Sequence, residues 1–136
     1  MITRLYTVAD YASLQPWWQG RWGGAPSVHA LPQSGMIASL DGRDIAAGWL
    51  YLDMTSPIAL LAFLVTHPDN ARKHSVQGLK VIIEGLKELA KSQGRVHMIT
   101  ICPKGSLGRL LRRCGFQEQD TDIEHLTLNL EQWQQE

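Results

Sequence analysis

The chain has 136 residues, with 13 basic and 13 acidic side chains and 44% hydrophobic residues. This length is typical of one domain, so we expect residues 1–136 to form a single domain around one core. The balanced charge provides no overall field for a nucleic-acid backbone or an anionic membrane surface, and neither partner is expected.

The first residues and the longest apolar run bear on location. The start, MITRLYTVAD, has neither the apolar core nor the small-residue cleavage site of a signal peptide, which predicts a cytoplasmic protein. The longest apolar run, residues 48–65, carries Asp53 and Pro57 in its middle. Two buried strands joined by a turn explain this run better than a membrane span.

Residues 9–33 predict a short helix followed by a loop. Asp10 is a suitable N-cap, and apolar side chains follow it at near-helical spacing, although Pro16 disturbs the middle of the helix. Residues 19–33 are rich in glycine and proline, which favours an irregular loop. We expect this loop to be the most mobile segment.

Three strands are predicted next. The apolar runs 35–40 and 44–53 flank Asp41-Gly42, a turn dipeptide that favours positive φ, and this arrangement predicts a hairpin. The third run, 58–66, is almost continuously apolar, which is typical of a strand covered on both faces. We place it at the centre of the sheet.

A long helix and another strand follow. Residues 72–91 place their apolar side chains on one helical stripe, and Gly94 is the expected stop. The predicted stripe consists of Val76, Leu79, Ile82, Ile83, Leu86 and Leu89. Residues 96–101 form the next expected strand, which completes a right-handed strand–helix–strand crossover between parallel strands.

The remaining residues predict a short helix and a final strand. The short helix starts at about Ser106, with Ser106 or Gly105 as its cap, and ends at Gly115, where Phe116 packs back on the last turn. Residues 124–130 alternate leucines with polar residues and predict the last strand. The whole order predicts a mixed α/β fold with a mostly antiparallel sheet.

Two stretches of the sequence resemble the GCN5-related N-acetyltransferases. Residues 65–72 (VTHPDNAR) are similar to the end of that family's central strand and to the loop that opens its long helix. Residues 106–116 (SLGRLLRRCGF) resemble the family's later short helix, which ends in Gly-Phe. The similarity covers about residues 35–130 and implies the GNAT-like acyl-CoA N-acyltransferase fold.

The resemblance implies a donor site at the start of the long helix. There, free backbone N–H groups and the positive end of the helix dipole suit the pyrophosphate of coenzyme A. Acetyl-CoA, or another acyl-CoA, is therefore the expected cofactor. The implied cofactor-binding residues are Phe63, Leu64 and Val65, whose backbone would pair with the pantetheine arm, together with Arg72, Lys73, His74, Ser75, Val76 and Gln77.

The sequence departs from the family at two places. The family's two loop glycines fall on Ser75 and Gln77, or on His74 and Val76 in a gapless alignment, so both glycines are absent. The family's tyrosine, which protonates the departing thiolate, is replaced by Leu111. Because leucine donates no proton, either another group or water serves as the acid, or no transfer takes place.

Five further residues are candidates for the acceptor side. Asp53 and His67 lie on or beside the predicted central strands, where a base would accept the amine proton. The alternatives are that Asp53 belongs to a turn and that His67 caps the strand end. Next to the glycine-rich loop, Trp17, Trp18 and Trp22 either form an aromatic wall for an amine substrate or pack in the core.

No metal site is expected. His97 and His125 lie on separate predicted strands, and Cys102 and Cys114 lack the spacing of zinc ligands. Cys114 falls on the apolar face of the short helix, where burial raises the pKa of a thiol and makes it unreactive.

The sequence thus predicts an acyl-CoA-dependent N-acyltransferase that transfers an acyl group directly to an amine of a small molecule or peptide. One alternative is a catalytically inactive binding or regulatory module with the same fold. Another is an assembly subunit that uses its tryptophans as an interface. The sequence leaves open whether the chain forms a homodimer.

Overall fold

The structure, a computed structural model, describes residues 1–21 and 23–133. Its centre is a five-stranded sheet in the order β1-β2-β3-β4-β5. The strands are β1 (Ile2–Leu5), β2 (Gly35–Leu40), β3 (Arg43–Leu52), β4 (Ile58–Thr66) and β5 (His97–Thr100). Neighbouring strands are antiparallel except β4 and β5, which are parallel. The predicted mixed α/β fold with a mostly antiparallel sheet is confirmed.

The helices connect the strands or cover them. The α-helices are α1 (Tyr11–Leu14), α2 (Arg72–Ser92) and α3 (Ser106–Arg113), and short 3-10 helices span Val8–Asp10, Gln15–Trp18 and Val28–Ala30. Helix α2 forms the predicted crossover from β4 to β5, and it ends at Gly94, which has a φ of +76°. In the part of the chain that the structure describes, no helix combines the length and the apolar character needed to cross a bilayer.

The hairpin is formed as predicted, but the strand over residues 58–66 does not lie at the predicted centre of the sheet. Asp41 and Gly42 have φ angles of +52° and +79°, as expected for the two central residues of a tight hairpin turn. Strand β4 has the predicted bounds, yet it is the fourth strand of the sheet. Strand β3 occupies the middle and carries six consecutive buried residues because apolar clusters cover both faces of the sheet at this strand.

The first predicted helix is divided by Pro16. This proline starts a separate 3-10 helix immediately after α1. Asp10 is not the side-chain N-cap of the helix that was predicted, because the helical region already begins at Val8. Its carboxylate instead accepts a hydrogen bond from the backbone N–H of Thr7 at 2.9 Å.

Strand β1 is an edge strand that the sequence pattern does not reveal. All four of its residues are exposed, so no alternation of apolar and polar positions marks it. Arg4 connects it to the rest of the fold through ion pairs with Asp10 at 3.0 Å and Asp44 at 2.8 Å.

The final predicted strand is wrong. Residues 124–130 follow α3 in an irregular and exposed conformation. An alternating pattern cannot form a strand alone, since its backbone groups need a neighbouring strand. Within the described residues no strand pairs with this segment, and β5 remains the edge of the sheet.

Helix α3 and its end are confirmed. Gly115 has a φ of +101°, and the backbone N–H of Phe116 donates to the carbonyl of Leu111 at 3.1 Å. This is the bond that closes a helix behind a C-terminal glycine. The Phe116 side chain packs against the apolar core, as predicted.

Two apolar clusters cover the two faces of the sheet. The first cluster joins the sheet to α2 and α3, and it includes Ala46, Leu50, Leu61, Leu64, Ile82, Leu86 and Leu110. The second cluster joins the opposite face to α1 and the short helices, and it includes Tyr6, Leu14, Trp17, Trp18, Trp49 and Val65.

One member of the predicted α2 stripe is exposed, and two others, Leu79 and Leu89, are only partly buried. Val76 is exposed, whereas Gly78 takes the buried position at this level of the helix. A Cβ at Gly78 would lie 3.0 Å from side-chain atoms of Ala46 and Ile45. Helix and sheet therefore approach too closely here for a side chain, and Val76 turns to the surface.

Candidate functional site

Strands β4 and β5 separate halfway along β4. Their pairing starts at Ile58 and His97 and ends at Leu61 and Thr100, whereas β4 continues to Thr66. The Thr100 hydroxyl donates to the Leu61 carbonyl at 2.9 Å at the point of separation. Beyond it, one edge of β4 has no neighbouring strand among the described residues, so its backbone groups are available to a ligand.

A β-bulge lies on this free part of β4. Trp49 pairs with Ala62 and Ala47 pairs with Val65, so Gly48 alone faces both Phe63 and Leu64. Phe63 has a φ of +58°, a conformation that costs a non-glycine residue about 1–2 kcal/mol. Strain of this kind is concentrated at functional sites.

Gly48 is required by the packing around the bulge. A Cβ at this position would lie 2.6 Å from Leu64 Cδ2 and 2.8 Å from Ile82 Cγ2. Leu64 and Ile82 are both buried in the first cluster. The bulge, β3 and α2 are thus fixed against each other at one place where no side chain fits.

The turn that leads from β4 into α2 is held by Asn70. Its side-chain amide donates to the Ile45 carbonyl at 2.8 Å and to the Ser75 hydroxyl oxygen at 3.2 Å. Its side-chain oxygen accepts from Arg43 at 3.2 Å. Through these contacts Asn70 joins β3, the turn and the first turn of α2, and it sets the position of the helix N-terminus.

The N-terminus of α2 combines free amides with positive charge. Ala71 is the N-cap and has no side chain that could bond the first N–H groups. No hydrogen bond from the backbone N–H of Arg72 or Lys73 occurs among the described residues. Each cation in the first turn of a helix lowers its stability by about 0.3–1 kcal/mol, because the positive end of the helix dipole repels it. An anion bound here would offset this cost.

An open groove follows the outer side of the same helix end. It has a volume of about 840 Å³ and is lined by Arg72, Lys73, His74, Val76, Gln77 and Lys80. Five of these six residues were predicted to bind the cofactor from the family resemblance. The sixth, Lys80, adds another positive charge one turn further along the helix.

The remaining predicted donor residues lie next to this groove or on the strand that leads to it. Phe63 and Leu64 form the bulge, and Val65 is buried in the second cluster, so the backbone of all three runs along the free edge of β4. The Ser75 hydroxyl oxygen accepts from Asn70, and its hydrogen remains free to be donated.

Asp53 is not brought together with these residues. It follows β3 and precedes β4, so the length of β4, roughly 26 Å, separates it from His67. Its carboxylate accepts hydrogen bonds from the Ser56 and Thr55 hydroxyls, and chiefly the Ser56 bond lowers the pKa of Asp53. This is the turn arrangement that the sequence offered as the alternative, and Asp53 is not part of the site described here.

His67 lies at the correct end of β4, but one of its ring nitrogens is occupied. The backbone N–H of Asp69 donates to His67 Nδ1 at 3.0 Å. A neutral imidazole carries a single hydrogen, which this bond places on Nε2, so neither nitrogen is free to accept a proton. His67 would act as a base only after the bond to Asp69 is broken.

The predicted tryptophans differ in their positions. Trp17 and Trp18 are both buried in the second cluster, and Trp18 packs against Trp49 with ring centroids 5.8 Å apart. Trp17 contacts the His67 ring edge-on at 5.3 Å, so it supports the end of β4 from the opposite face. Trp22 lies outside the described residues.

The loop before β2 is attached to the body of the protein by two tyrosines. The Tyr11 hydroxyl donates to the Pro26 carbonyl at 2.7 Å, and the Tyr51 hydroxyl donates to the Ala30 carbonyl. The Tyr51 ring also lies near that of Phe63, with centroids 6.4 Å apart. These contacts place the loop beside the bulge, where an acceptor would meet the end of the free edge.

The position of the family's tyrosine is closed to solvent. Leu111 is buried in the first cluster, so the residue neither donates a proton nor reaches the groove. Nearby, Cys114 is also buried, and burial raises the pKa of its thiol, with a further contribution from Glu84. The expectation of an unreactive thiol at Cys114 agrees with this environment.

Three residues of the site carry no sequence prediction. Asn70 is a common turn residue two positions after a proline, and only its contacts reveal that it fixes the helix. Gly48 lies inside an apolar run, where an isolated glycine is a known sign of a bulge or a close approach. Thr100 marks the separation of the strands, which depends on pairing between distant segments.

The site thus combines a splayed parallel strand pair, a bulge on its free edge and an uncapped basic helix end. The structure is similar to solved N-acetyltransferases, so the resemblance to the GCN5-related N-acetyltransferases is confirmed at the level of the fold. No protein-family model matches the chain, and no curated protein matches it by sequence.

Three solved structures illustrate the similarity. The ribosomal-protein-S18-alanine N-acetyltransferase from Escherichia coli is 13% identical, with a TM-score of 0.70 over 88% of this chain and 79% of that one. Glucosamine-6-phosphate N-acetyltransferase from Arabidopsis thaliana is 14% identical, with a TM-score of 0.66 over 92% and 97%. A Mycobacterium tuberculosis protein in complex with CoA is 15% identical, with a TM-score of 0.69 over 96% and 78%.

Proposed function

We propose that the chain binds an acyl-CoA, most simply acetyl-CoA, and transfers its acyl group to an amine. The observation that carries this proposal is the first turn of α2, where Arg72 and Lys73 place two cations and two free backbone N–H groups at the start of the helix that follows β4. An isolated helix end gains nothing from this arrangement, whereas an end that binds a diphosphate does. The occurrence of a CoA complex among proteins of the same fold supports the choice of ligand.

The residues present fit the parts of this donor. The free amides of the first turn, the Ser75 hydroxyl and the cationic side chains suit the diphosphate. The unpaired edge of β4 suits the amide groups of the pantetheine arm, which would add to the sheet as a further strand does. Asn70 positions the helix end relative to the sheet because it contacts β3 and the helix at once.

The reaction needs little from the protein beyond positioning. The amine nitrogen attacks the thioester carbonyl and loses one proton, and the carbon–sulfur bond breaks to release a thiolate. The bulge takes peptide groups of Phe63 and Leu64 out of the ladder with β3, so their N–H groups are suited to the negative charge that develops on the carbonyl oxygen.

The proton transfers are the weaker part of the site. Leu111 supplies no acid, and His67 is occupied by its bond to the Asp69 N–H. General acid–base groups contribute about 10²–10⁴-fold to a rate. A thiol with a pKa of roughly 8.5 leaves as a thiolate without an acid near neutral pH, so we propose that water accepts and donates these protons.

The acceptor is proposed only as an amine of a small molecule or peptide. The two enzymes named above act on a ribosomal-protein alanine and on an amino sugar phosphate, although both share this fold. The fold therefore does not select the acceptor. In this chain the acceptor would lie between Phe63 and the loop held by Tyr11 and Tyr51.

The buried Leu111 favours a second candidate function. A chain that binds acyl-CoA without an acid and without a free histidine has the features of a binding or regulatory module. Such a module keeps the donor contacts and loses only the turnover. The two functions share the first turn of α2 and are separated by a rate measurement.

Calorimetry with acetyl-CoA tests the donor site. We expect micromolar affinity, which corresponds to about 8 kcal/mol, and a loss of ten-fold or more in Arg72→Ala/Lys73→Ala, because each charge-assisted contact contributes about 1.5–3 kcal/mol. The control Lys91→Ala/Arg113→Ala removes the same number of charges elsewhere on the surface and should leave the affinity unchanged. Equal affinity in both double variants, or no binding to the wild-type chain, would overturn the donor site.

Release of free thiol in the presence of a panel of amines separates the two functions. Turnover with any amine supports the transferase, and its rate should rise between pH 7 and pH 9 because both proton transfers depend on water. Tight binding without turnover over the whole panel favours the binding module.

A further inference from the structure

The face of the sheet opposite α2 is only partly covered. The second cluster contains residues of β2 and β3, but from β4 it takes only Phe63 and Val65, and from β5 it takes none. In the described part of the chain, α1 and the short helices therefore cover one half of this face. The other half, formed by β5 and the start of β4, is open.

The open half of this face carries apolar side chains. Tyr51 lies two residues after the buried Trp49 and therefore on the same face of β3. Leu60 is opposite Tyr51, and Ile99 is opposite Leu60, so these side chains share that face. Leu60 and Ile99 are 36% and 46% exposed. The set that we call the apolar floor consists of Tyr51, Leu60, Ala62, Phe63 and Ile99.

The apolar floor ends where the free edge of β4 begins. Pairing between β4 and β5 stops at Leu61 and Thr100, one residue beyond Leu60 and Ile99. Phe63 belongs to both the floor and the bulge, and its ring centroid lies 6.4 Å from that of Tyr51. The floor is thus continuous with the part of β4 that is proposed to hold the thioester, and a molecule on the floor lies next to the reacting group.

The strands and the loop around the apolar floor contain no acidic residue. Neither aspartate nor glutamate occurs in residues 11–40, 45–52, 58–66 or 96–103. Asp53 lies at the end of the floor away from the bulge, next to Ile58, and its carboxylate already accepts hydrogen bonds from two hydroxyls. Four residues of β4, roughly 13 Å, separate Ile58 from Ala62. A second ammonium group on a short acceptor would therefore lose water without gaining an anion, which is unfavourable.

We propose that the acceptor is a primary amine whose remaining part is apolar and uncharged, an alkyl chain or an aromatic ring that lies on the apolar floor. This inference rests on the proposed transferase function and specifies its acceptor. The exposed area of the floor is on the order of 200 Å², similar to the roughly 150–250 Å² that one aromatic side chain buries. A second protein chain would need roughly 1,200–2,000 Å², so the size of the floor fits a small molecule.

The apolar floor also supports the chemistry of a site without an available base. Loss of water disfavours the charged form of an amine and lowers its pKa, so a larger fraction of the amine is neutral on the floor. The neutral nitrogen forms a bond to the thioester carbonyl carbon, the carbon–sulfur bond breaks, and the thiolate leaves with the electron pair. The proton of the nitrogen passes to water, since His67 is occupied by its bond to the Asp69 N–H.

Binding of linear alkylamines tests the apolar floor without any donor. We expect the affinity, measured by calorimetry, to rise about four-fold for each CH₂ group from butylamine to octylamine, because each buried CH₂ group contributes a similar increment. The diamine of the same length as hexylamine should bind at least ten-fold more weakly, since its second ammonium group reaches no carboxylate. Equal affinities along the series, or tighter binding of the diamine, would overturn the proposal.

Two isoleucine variants locate the bound amine. Ile99→Ser removes a side chain of the apolar floor, whereas Ile2→Ser removes an isoleucine that is 74% exposed on β1, at the opposite edge of the sheet. We expect hexylamine binding to weaken about ten-fold in Ile99→Ser and to change less than two-fold in Ile2→Ser. Equal effects of the two substitutions would refute the placement of the amine on the floor.

Thiol release from acetyl-CoA distinguishes a failure of this inference from a failure of the proposed function. A kcat/KM for hexylamine at least ten-fold above that for the diamine supports both. Turnover confined to polyamines or charged peptides keeps the transferase and overturns the apolar acceptor. Alkylamine binding that follows chain length, in a protein without affinity for acetyl-CoA, keeps the apolar site and overturns the donor site.

Discussion

Replacing Gly48 with alanine tests whether the bulge on β4 is fixed by packing. The new Cβ would lie 2.6 Å from Leu64 Cδ2 and 2.8 Å from Ile82 Cγ2, so both side chains must move by close to 1 Å. Both are buried, and Leu86 Cδ1 at 3.4 Å limits the room on the remaining side. Ile82 Cγ2 is attached directly to Cβ and moves only if χ1 or the backbone changes, whereas the terminal methyl Leu64 Cδ2 is held by the packing of the first cluster.

The expected cost follows from two opposing effects. Overpacking a core with one methyl group costs about 1–3 kcal/mol. Alanine regains about 0.5–1 kcal/mol because glycine loses more conformational freedom on folding. We therefore expect Gly48→Ala to lower the free energy of unfolding by about 1–2 kcal/mol and the Tm by roughly 3–10 °C.

Gly108→Ala is the matched control, measured by the same calorimetric and urea unfolding experiments. Gly108 lies inside α3, where the closest atom to a new Cβ is Cys102 Sγ at 3.8 Å. Since alanine is the better helix former, this variant should gain about 0.5–1 kcal/mol. Two variants of equal stability, or a stabilised Gly48→Ala, would refute the argument that Leu64 and Ile82 leave no space at the bulge.

Three further outcomes are expected. Asn70→Ala should lower the free energy of unfolding by about 1–3 kcal/mol in urea melts and weaken acetyl-CoA binding in the same protein, since a partly buried network of three hydrogen bonds is lost; unchanged binding would mean that the turn does not position the helix end. In the native state, a thiol reagent at pH 8 should modify Cys102 and spare Cys114, whose burial raises its pKa, and equal rates would contradict the assigned burial. The bonds from Arg4 and Thr7 outweigh burial and lower the pKa of Asp10, so its contribution is present above the unfolded pKa of about 3.9 and is lost on acidification below it. Asp10→Asn should therefore cost about 0.3–1 kcal/mol at pH 7 and progressively less as the pH falls below about 3.9, and a cost that is independent of pH would refute this assignment.

The elements with strong local signals were predicted well from the sequence. Asp41-Gly42 fixes the hairpin because few other dipeptides adopt two positive φ angles. Helix α2 follows from a stripe that repeats over five turns, and Gly94 and Gly115 mark two helix ends. Each of these features is determined by residues that are adjacent in the chain, so it can be predicted from the sequence.

The errors come from features that depend on distant contacts. Strand β1 is recognisable only from its pairing with β2, and residues 124–130 have the pattern of a strand but no neighbouring strand among residues 1–21 and 23–133. The centre of the sheet was misplaced because the strand order cannot be read from apolar content alone.

The structure shows where the predicted donor residues lie, and their role in binding stays a prediction. The residues from Arg72 to Gln77 lie at a helix end and along a groove, and the run from Phe63 to Val65 coincides with the bulge. The positive φ of Phe63 could not be predicted, since it results from the register between β3 and β4. Asp53 precedes β4 closely in the sequence, but it lies at the end of that strand opposite to His67 and the start of α2.

The bulge could be removed from this fold by the deletion of one residue. Without Phe63, Leu64 would stand opposite Gly48 in an unbroken ladder, and the alternation of β4 would be regular. Leu61 and Leu64 would still face α2, and Val65 would still face the tryptophans, so no core residue would change sides. A single-codon deletion would thus relieve the strain and preserve the architecture. A chain without Phe63 would therefore keep the fold and lose only the bulge.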